Sequence, residues 1–326
     1  MDATRWYQLL CTDKQGFLAE RTAHFSKEDA PRVKVNHMRF QDIELSGLDL
    51  SRMDLCNCEF FNCNFERADL SDSLLRMCRF RACNLRGAKL KLANLARGEA
   101  IQCDCTGADL SYASLLLEKL YGSDFTGVRL DSADLSAAEA PEVSFKGASG
   151  DRCFWHKADL RNCDFSGARL PNNVLRLSAL SGAMLAGVDL SNADLTYCVL
   201  HGTNLEGAIL READLSNCFF QDTNLRNANL ARAKMETVDF EQVDLTGANL
   251  AGVLVDNINL ESDREYHDAV RKAAFDQYEV LKLTQNGQSN EYPQNLAGLG
   301  QFISAAQNVP ATEPEKAEFA IPGEKE

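Results

Sequence analysis

Large apolar residues recur at every fifth position between Phe40 and Leu260. Of these 45 positions, 41 hold Leu, Phe, Met, Trp or Val, and the exceptions are Ala100, Cys105, Ala140 and Gly150. An α-helix repeats its faces about every 3.6 residues and a β-strand every second residue, so neither produces a strict period of five. The period therefore predicts a repeat architecture in which one residue in five points into a shared core.

A second position, two residues before each large one, holds small side chains. It is Ala, Cys, Ser, Thr, Val or Gly at 38 of the 45 sites, and the residue between the two is often Asp or Asn. Clean copies of the unit A-(D/N)-L-x-x begin at Ala158, Ala193, Ala213 and Ala248. This pattern resembles the pentapeptide-repeat family, and the resemblance covers about two-thirds of the chain.

The resemblance implies an all-β solenoid, a right-handed quadrilateral β-helix with short helical terminal segments. Each pentapeptide forms one side, so residues 33–262 make about 11 coils stacked about 4.8 Å apart. Residues in equivalent positions of successive coils should then stack in columns. The aromatic columns are Phe40 with Phe60 and Phe80, Phe125 with Phe145 and Phe165, and Phe220 with Phe240.

One coil departs from the pattern because small and large residues alternate around it. Its inward residues are Ala140, Phe145, Gly150 and Trp155. Two structures are consistent with this. Either Trp155 fills the space left by Gly150 in a regular coil, or residues 139–152 bulge out as a loop.

Nine of the twelve cysteines lie at the small position, where Cys acts as a small buried apolar residue. Equivalent cysteines in neighbouring coils would have Cβ atoms about 4.8 Å apart, whereas a disulfide needs about 3.8 Å. We therefore predict reduced thiols and a cytoplasmic protein. Zinc is the minor alternative, because Cys56-x-Cys58 lacks a second pair of ligands. Cys11 and Cys56 are the predicted exposed thiols.

The chain carries 34 basic and 48 acidic residues, a net charge of −14, which argues against general nucleic-acid binding. Residues 76–97 hold seven bases and no acid, and we interpret them as a solvated basic girdle around one coil. Residues 181–260 hold 11 acids and 4 bases. One column alternates in sign and predicts an ion ladder, namely Arg39, Glu59, Arg79, Glu99, Lys119 and Glu139.

Both ends of the chain lack the repeat. Residues 1–32 are predicted to form an N-terminal capping segment of short helices, docked through Trp6, Leu9, Leu10, Phe17 and Leu18. Ser262 and Glu265 form a capping box that begins an amphipathic helix over 263–284, and 285–326 is a predicted flexible tail. This helix either caps the rod or forms a homodimer, using Tyr266, Val270, Tyr278 and Leu281.

The sequence contains no catalytic signature. His156 and His201 fall on predicted surface strands, and no Walker A, His-Glu-x-x-His or Gly-x-Ser-x-Gly motif occurs. Leu and Phe fill the inside of each coil, so no pocket is expected. We predict a non-enzymatic protein without a cofactor or metal. No run of 18 apolar residues predicts a membrane span.

The first predicted function is a protein-binding scaffold of bacterial type. The resemblance extends to secreted effectors and secretion-associated components, so delivery into another cell is the alternative to a cytoplasmic location. The candidate partner surface combines exposed apolar and acidic residues, namely Leu116, Leu117, Tyr121, Phe154, Val199, Phe219, Asp189, Asp194, Asp214, Asp239 and Asp244.

The alternative function comes from the quinolone-resistance members of the family. These proteins imitate duplex DNA and act on DNA gyrase or topoisomerase IV. The acidic 181–260 segment and the predicted C-terminal helix resemble them, whereas the basic girdle and the chain beyond the helix do not.

Overall fold

A right-handed quadrilateral β-helix occupies residues 33–255. The computed structural model describes residues 2–27, 29–238, 242–255, 282–285 and 288–291. Parallel β-bridges join residues twenty apart on every side, for example Glu44 to Asn64, Asp49 to Asp69 and Asp54 to Leu74.

We name the sides by their inward residues. Faces A, B, C and D carry every twentieth residue counted from Phe40, Leu45, Leu50 and Leu55, respectively.

The strands are short because each side contains five residues. On face A, β2 (Arg39–Gln41), β4 (Glu59–Phe61), β5 (Arg79–Arg81) and β6 (Glu99–Ile101) form a four-stranded parallel sheet. On face D, β1 (Val33–Lys34) pairs in parallel with β3 (Met53–Asp54). At the other end, β7 (Leu254–Val255) pairs in parallel with β8 (Lys282–Gln285), which pairs antiparallel with β9 (Gln288–Glu291).

Most corners of the coil are hydrogen-bonded turns. The N–H of the small residue donates to the carbonyl of the preceding large residue, as from Ala68 to Phe65 at 2.9 Å. We call the residue before the small one the corner residue. At every described corner from His37 to Gly252 its φ lies between 51° and 73°, the left-handed value that a type II turn requires.

The polar residue of the repeat unit stabilises the same turn. Its side-chain oxygen accepts a hydrogen bond from the amide two residues on, as Asp69 does from Ser71 at 3.0 Å and Asn94 from Ala96 at 3.2 Å. Asp and Asn are the residues that bond their own backbone in this way. The A-(D/N)-L sequence is therefore a folding signal on all four faces.

The inward residues form one continuous core, and the predicted aromatic columns are confirmed. Phe60 stacks on Phe40 and Phe80 with ring centroids 4.9 and 4.8 Å apart. The column through Phe145 stacks likewise, with centroids 5.4 Å from Phe125 and 5.0 Å from Phe165. Phe240 lies outside the described residues, so its pairing with Phe220 stays a prediction.

The coil through residues 139–152 is regular, so the loop alternative is wrong. Bridges continue from Glu139, Ser144 and Ser149 to the next coil, because the backbone keeps its turns around the small residues. Trp155 is fully buried, and its filling of the space left by Gly150 stays a prediction. A Cβ on Gly150 would lie 2.5 Å from Cys153 Sγ and 2.9 Å from Leu130 Cβ.

A buried amide also contacts this coil. Asn173 occupies a small position and is fully buried. Its Oδ1 accepts from the indole N–H of Trp155 at 3.1 Å, and its Nδ2 donates to the carbonyls of Gly150 at 2.8 Å and Pro171 at 2.9 Å. The polar side chain is thus satisfied inside the rod.

Two helices, α1 (Ala3–Thr12) and α2 (Lys14–Phe25), pack over the first coil. Trp6, Leu9, Leu10 and Phe17 are buried against it, and Leu18 is partly buried. The Tyr7 hydroxyl donates to the Arg39 carbonyl at 2.8 Å. A salt bridge of 2.7 Å joins Arg21 to Asp49, and the Arg21 guanidinium also donates to Ser51. These contacts cover the coil's open edge, which would otherwise invite strand pairing.

The C-terminal end differs from the predicted helix over 263–284. Residues 282–284 belong to strand β8, which pairs with the edge that β7 offers. The first residues of the predicted tail include Gln285 in β8 and the whole of β9. Tyr266, Val270, Tyr278 and Leu281 lie outside the described residues, so the helix and its contacts stay predictions.

Candidate interaction surfaces

The buried cysteines are structural. All nine at the small position are buried, and thiols such as Cys58, Cys153 and Cys163 donate to a backbone carbonyl of the preceding coil at 2.8–2.9 Å. Burial raises the pKa of each of these three thiols to about 12, which keeps them protonated. The twelve cysteines are all free thiols.

Cys11 and Cys56, predicted to be exposed, are instead half-buried. Cys11 packs against the core beneath α1, and the amide of Cys56 lies in a turn closed by Asp54. Burial raises the pKa of both thiols. Neither therefore has the lowered pKa that marks a reactive cysteine.

The predicted ion ladder forms only in part. Its residues are bridged in register, but within the described residues the column contains one ion pair, Arg79 with Glu59 at 2.8 Å. Glu99 pairs diagonally with Arg81 at 3.0 Å, and Glu139 accepts from the Tyr121 hydroxyl. Side chains eighteen residues apart thus compete with those directly stacked.

The basic girdle is largely neutralised by neighbouring coils. Arg79, Arg81, Arg86 and Lys89 each pair with a carboxylate, at distances between 2.8 and 3.7 Å. These pairs favour the solvated interpretation of the girdle on faces A, B and C. The girdle's three other bases are Arg76, Lys91 and Arg97. None of these three forms an ion pair within the described residues.

The candidate apolar residues divide between two faces. Leu116, Leu117 and Phe154 lie on face D, with Leu117 44% and Phe154 46% exposed. Tyr121, Val199 and Phe219 lie on face A, where Val199 and Phe219 are bridged neighbours. Leu116 and Tyr121 are half-buried. The structure therefore does not assemble these six residues into one patch.

The candidate acids lie on three faces. Asp189 is on face C, the bridged pair Asp194 and Asp214 on face D, and Asp244 on face B. Each accepts a hydrogen bond from the amide two residues on, and Asp244 also pairs with Arg226 at 3.3 Å. Asp239 lies outside the described residues.

An acidic residue inside the rod is absent from the sequence-based candidates. Glu118 stands at a small position, is 1% exposed, and accepts a hydrogen bond from the amide of Gly98 at 2.7 Å. Burial raises the pKa of this carboxyl well above its ordinary value. Gly98 leaves room for it, because a Cβ there would lie 3.0 Å from Glu118 Oε1. An internal cavity of about 20 Å³ adjoins Glu118, Ala100 and Cys105.

Sequence reasoning also missed several exposed apolar corner residues. Met77, Leu92, Tyr112 and Tyr197 are 39–56% exposed, and all four adjoin face D. A surface depression of about 220 Å³ lies beside Met77, Arg97 and Gly98. Sorting the sequence into columns of every twentieth residue would have placed these side chains together.

The described residues contain no metal-binding constellation. Among them no cluster of three His, Cys, Asp or Glu side chains could hold a metal ion. His156 is half-buried on face D, and His201 lies exposed on face A with Nδ1 3.7 Å from Asp222. No helix in the described part of the chain is both long and apolar enough to cross a membrane.

Comparison with family models gives two matches. A model for pentapeptide repeats (8 copies) matches overlapping segments between residues 39 and 172, and a model for a pentapeptide repeat region matches residues 188–263. No curated protein matches the sequence significantly.

Several solved structures are similar. HetL, a pentapeptide repeat protein involved in heterocyst differentiation regulation in the cyanobacterium Nostoc sp. strain PCC 7120, is 27% identical with a TM-score of 0.62. The match covers 67% of this chain and 96% of HetL. QnrB1, a plasmid-mediated fluoroquinolone resistance protein, is 21% identical with a TM-score of 0.36, covering 69% of this chain and 92% of its own.

Proposed function

The chain belongs to the pentapeptide-repeat family, and from that premise we propose that it is a non-enzymatic scaffold whose rod binds a protein partner. The observation that carries the proposal is the set of eleven large apolar side chains left exposed on the described surface. Exposed apolar surface on a rigid scaffold marks contact sites, and a rigid rod loses little conformational entropy on binding.

The interior supports a binding role over catalysis. Leu, Phe and small residues fill the coils, and the internal cavity beside Glu118 has a volume of about 20 Å³, room for roughly one water molecule. HetL is described as involved in heterocyst differentiation regulation, which agrees with action through binding. The buried thiols favour a reducing compartment such as the cytoplasm, and this location is part of the proposal.

Reconstitution tests the scaffold proposal. The purified full-length chain is used to capture proteins from a bacterial lysate, and each captured protein is then purified and mixed with the chain. We expect at least one to form a stoichiometric complex on size-exclusion chromatography. Failure of every purified candidate to bind would contradict the proposal.

DNA mimicry, with DNA gyrase or topoisomerase IV as the partner, is the alternative proposal. The acid excess of residues 181–260 supports it. The described candidate acids occupy three faces, whereas the phosphates of a duplex would have to be imitated on one continuous surface. A gyrase supercoiling assay with and without a fluoroquinolone separates the two. Inhibition or drug protection at micromolar protein would favour mimicry, and no effect up to roughly tens of micromolar would favour another partner.

A further inference from the structure

We propose that face D, from Leu74 to Leu177, is the docking surface for an acidic amphipathic helix of a protein partner. This inference rests on the proposed scaffold function and adds the surface and the chemistry of the partner. It draws on the corner residues, the unpaired bases and the dimensions of the face.

Large apolar corner residues are confined to the two corners that border face D. Leu92 and Tyr112 occupy the corner with face C, and the corner with face A carries Met77, Leu117, Leu177 and Tyr197. At the described corners between faces A and B and between B and C, the residues are Gly, Ala or polar. This distribution of large apolar corner residues distinguishes face D from the other three faces.

These side chains stand in an unfavourable backbone conformation. Tyr112 has a φ of 60° and is 54% exposed, and Leu92 has a φ of 62° and is 56% exposed. Bulky residues are uncommon in the left-handed region, and Gly or Asn would occupy it at lower cost. Strain combined with exposed apolar surface is typical of sites kept for binding.

The centre of face D continues the apolar strip. Phe154 is 46% exposed and is bridged to the half-buried Val174 of the next coil. Leu74 and Leu116 are half-buried on the same face. The apolar side chains recur along the rod axis between the two rows of corner residues, and Asn94, Ser114 and Asp134 interrupt them in the central column.

The bases on this face are left free. Arg76, Arg97, Lys157 and Arg176 are exposed and have no ion pair within the described residues, although Arg176 lies over the Tyr197 ring at 5.5 Å. The remaining base, Arg152, reaches its sequence neighbour Asp151 at 3.5 Å.

On the other faces, many bases are paired between coils, as Arg79 is with Glu59 and Arg86 with Asp104. Between residues 74 and 177 the single acid on face D is Asp134, which accepts from the Ser136 amide. In a chain of net charge −14, an apolar strip with unpaired bases selects an acidic ligand.

The dimensions fit a helix lying along the rod. From Met77 to Leu177 is five coil steps, about 24 Å at strand spacing, which about 16 helical residues span. One helical turn of about 5.4 Å nearly matches one coil step, so apolar residues three and four apart would meet successive coils. A depression of about 220 Å³ near one end of that helix is lined by Met77 and Arg97 and also by Glu59, Arg79 and Glu99, so its charges balance and it can receive an uncharged side chain.

Aliphatic side chains on face D favour a peptide over a single-stranded nucleic acid. Nucleic acids bind through bases stacked on aromatic rings. Seven of the ten apolar side chains named on this face and its corners are aliphatic, and the three rings are Tyr112, Phe154 and Tyr197. A nucleic-acid ligand is therefore treated as an outcome of the test.

The test uses the full-length chain and two fluorescent synthetic helices of about twenty residues. Both peptides carry Leu on one face, and the other positions are Glu in one peptide and Lys in the other. We expect the Glu peptide to bind, with affinity that falls as salt is added, and the Lys peptide not to bind.

Matched variants locate the surface. The triple variant Arg97→Glu, Lys157→Glu, Arg176→Glu should weaken binding of the Glu peptide by about tenfold or more, by charge repulsion. The control triple Arg129→Glu, Lys146→Glu, Arg169→Glu places the same charge change on faces B and C and should change affinity less than about twofold.

The apolar contribution has its own matched pair. Phe154 on face D and Met184 on face B are both 46% exposed. Phe154→Ser should weaken peptide binding, and Met184→Ser should leave it unchanged. Circular dichroism on each variant establishes that the rod is folded.

Four results would overturn the docking surface: equal binding of both peptides, equal loss from both triples, tighter binding of a single-stranded oligonucleotide, or self-association through face D in sedimentation. Its failure is separable from failure of the scaffold. If a captured partner still binds the triple variant Arg97→Glu, Lys157→Glu, Arg176→Glu, only the face D proposal is overturned. If no partner binds in purified form, the scaffold proposal is contradicted.

Discussion

Two adjacent phenylalanines allow the inside-outside assignment to be tested with one residue type. Phe60 is 2% exposed and Phe61 is 45% exposed, although both belong to strand β4. Phe60→Ala removes a ring from the core, whereas Phe61→Ala shortens a side chain that water already reaches. The two variants have the same change in composition and nearly the same position in the chain.

The expected loss at Phe60 follows from its contacts. Its ring lies between Phe40 and Phe80 and meets Phe65 edge-on with centroids 5.1 Å apart. A buried Phe→Ala change costs about 3–5 kcal/mol, and the ring contacts, worth about 0.5–1.5 kcal/mol per pair, place Phe60 at the upper end of that range. We therefore expect a loss of about 4–5 kcal/mol for Phe60→Ala and less than about 1 kcal/mol for Phe61→Ala.

Urea unfolding followed by far-ultraviolet circular dichroism measures both free energies. Because stacked coils can unfold in parts, hydrogen exchange of the amides in coils 40–80 should accompany the melt. Phe60→Ala should lower protection in these coils, and Phe61→Ala should leave it unchanged. Equal losses of stability from the two variants would refute the assignment of inward and outward positions.

Three further predictions test other parts of the argument. Leu190→Asp buries an unpaired charge and should unfold the coils around it, at a cost of about 5 kcal/mol or more, whereas the exposed Asn192→Asp should shift the thermal melt by less than about 2 °C. Because burial raises the folded-state pKa of Glu118, the cost of burying its charged carboxylate grows as pH rises above the ordinary carboxyl pKa. Glu118→Gln should therefore raise the melting temperature more at pH 8 than at pH 5. An equal gain at both pH values would contradict this. Asp194→Ala removes the hydrogen bond that the Thr196 amide donates to Asp194 and should lower the free energy of unfolding by about 1 kcal/mol. Asp194→Asn keeps an oxygen acceptor and should retain most of that stability in the same melts.

The sequence was sufficient for the solenoid because its signal is repeated in every coil. A single register of five predicts which residues are inward, and the same period predicts the columns through Phe60 and Phe145. The buried cysteines followed from the same position-by-position reasoning. Such predictions succeed because each copy of the turn obeys the same backbone geometry.

The misses occur where a pair of residues in neighbouring coils depends on both partners. Gly98 makes room for Glu118, and Asn173 joins Gly150 to Trp155, so neither side chain can be interpreted from its own pentapeptide. The ion ladder forms only in part for the same reason, because Arg81 competes for Glu99. These are contacts between residues eighteen to twenty-three positions apart, which a five-residue period does not resolve.

The acidity of the chain has a structural origin as well as a functional interpretation. Asp and Asn serve equally as turn acceptors, as Asp69 and Asn94 show, so each turn fixes an oxygen acceptor and leaves the charge free to vary. Negative charge at these sites is therefore weak evidence for DNA mimicry. The corner residues provide stronger evidence for a binding surface. Tyr112 and Leu92 stand where Gly would be less strained, and the turns do not require their exposed side chains. We infer that selection for the partner proposed to bind face D explains these residues.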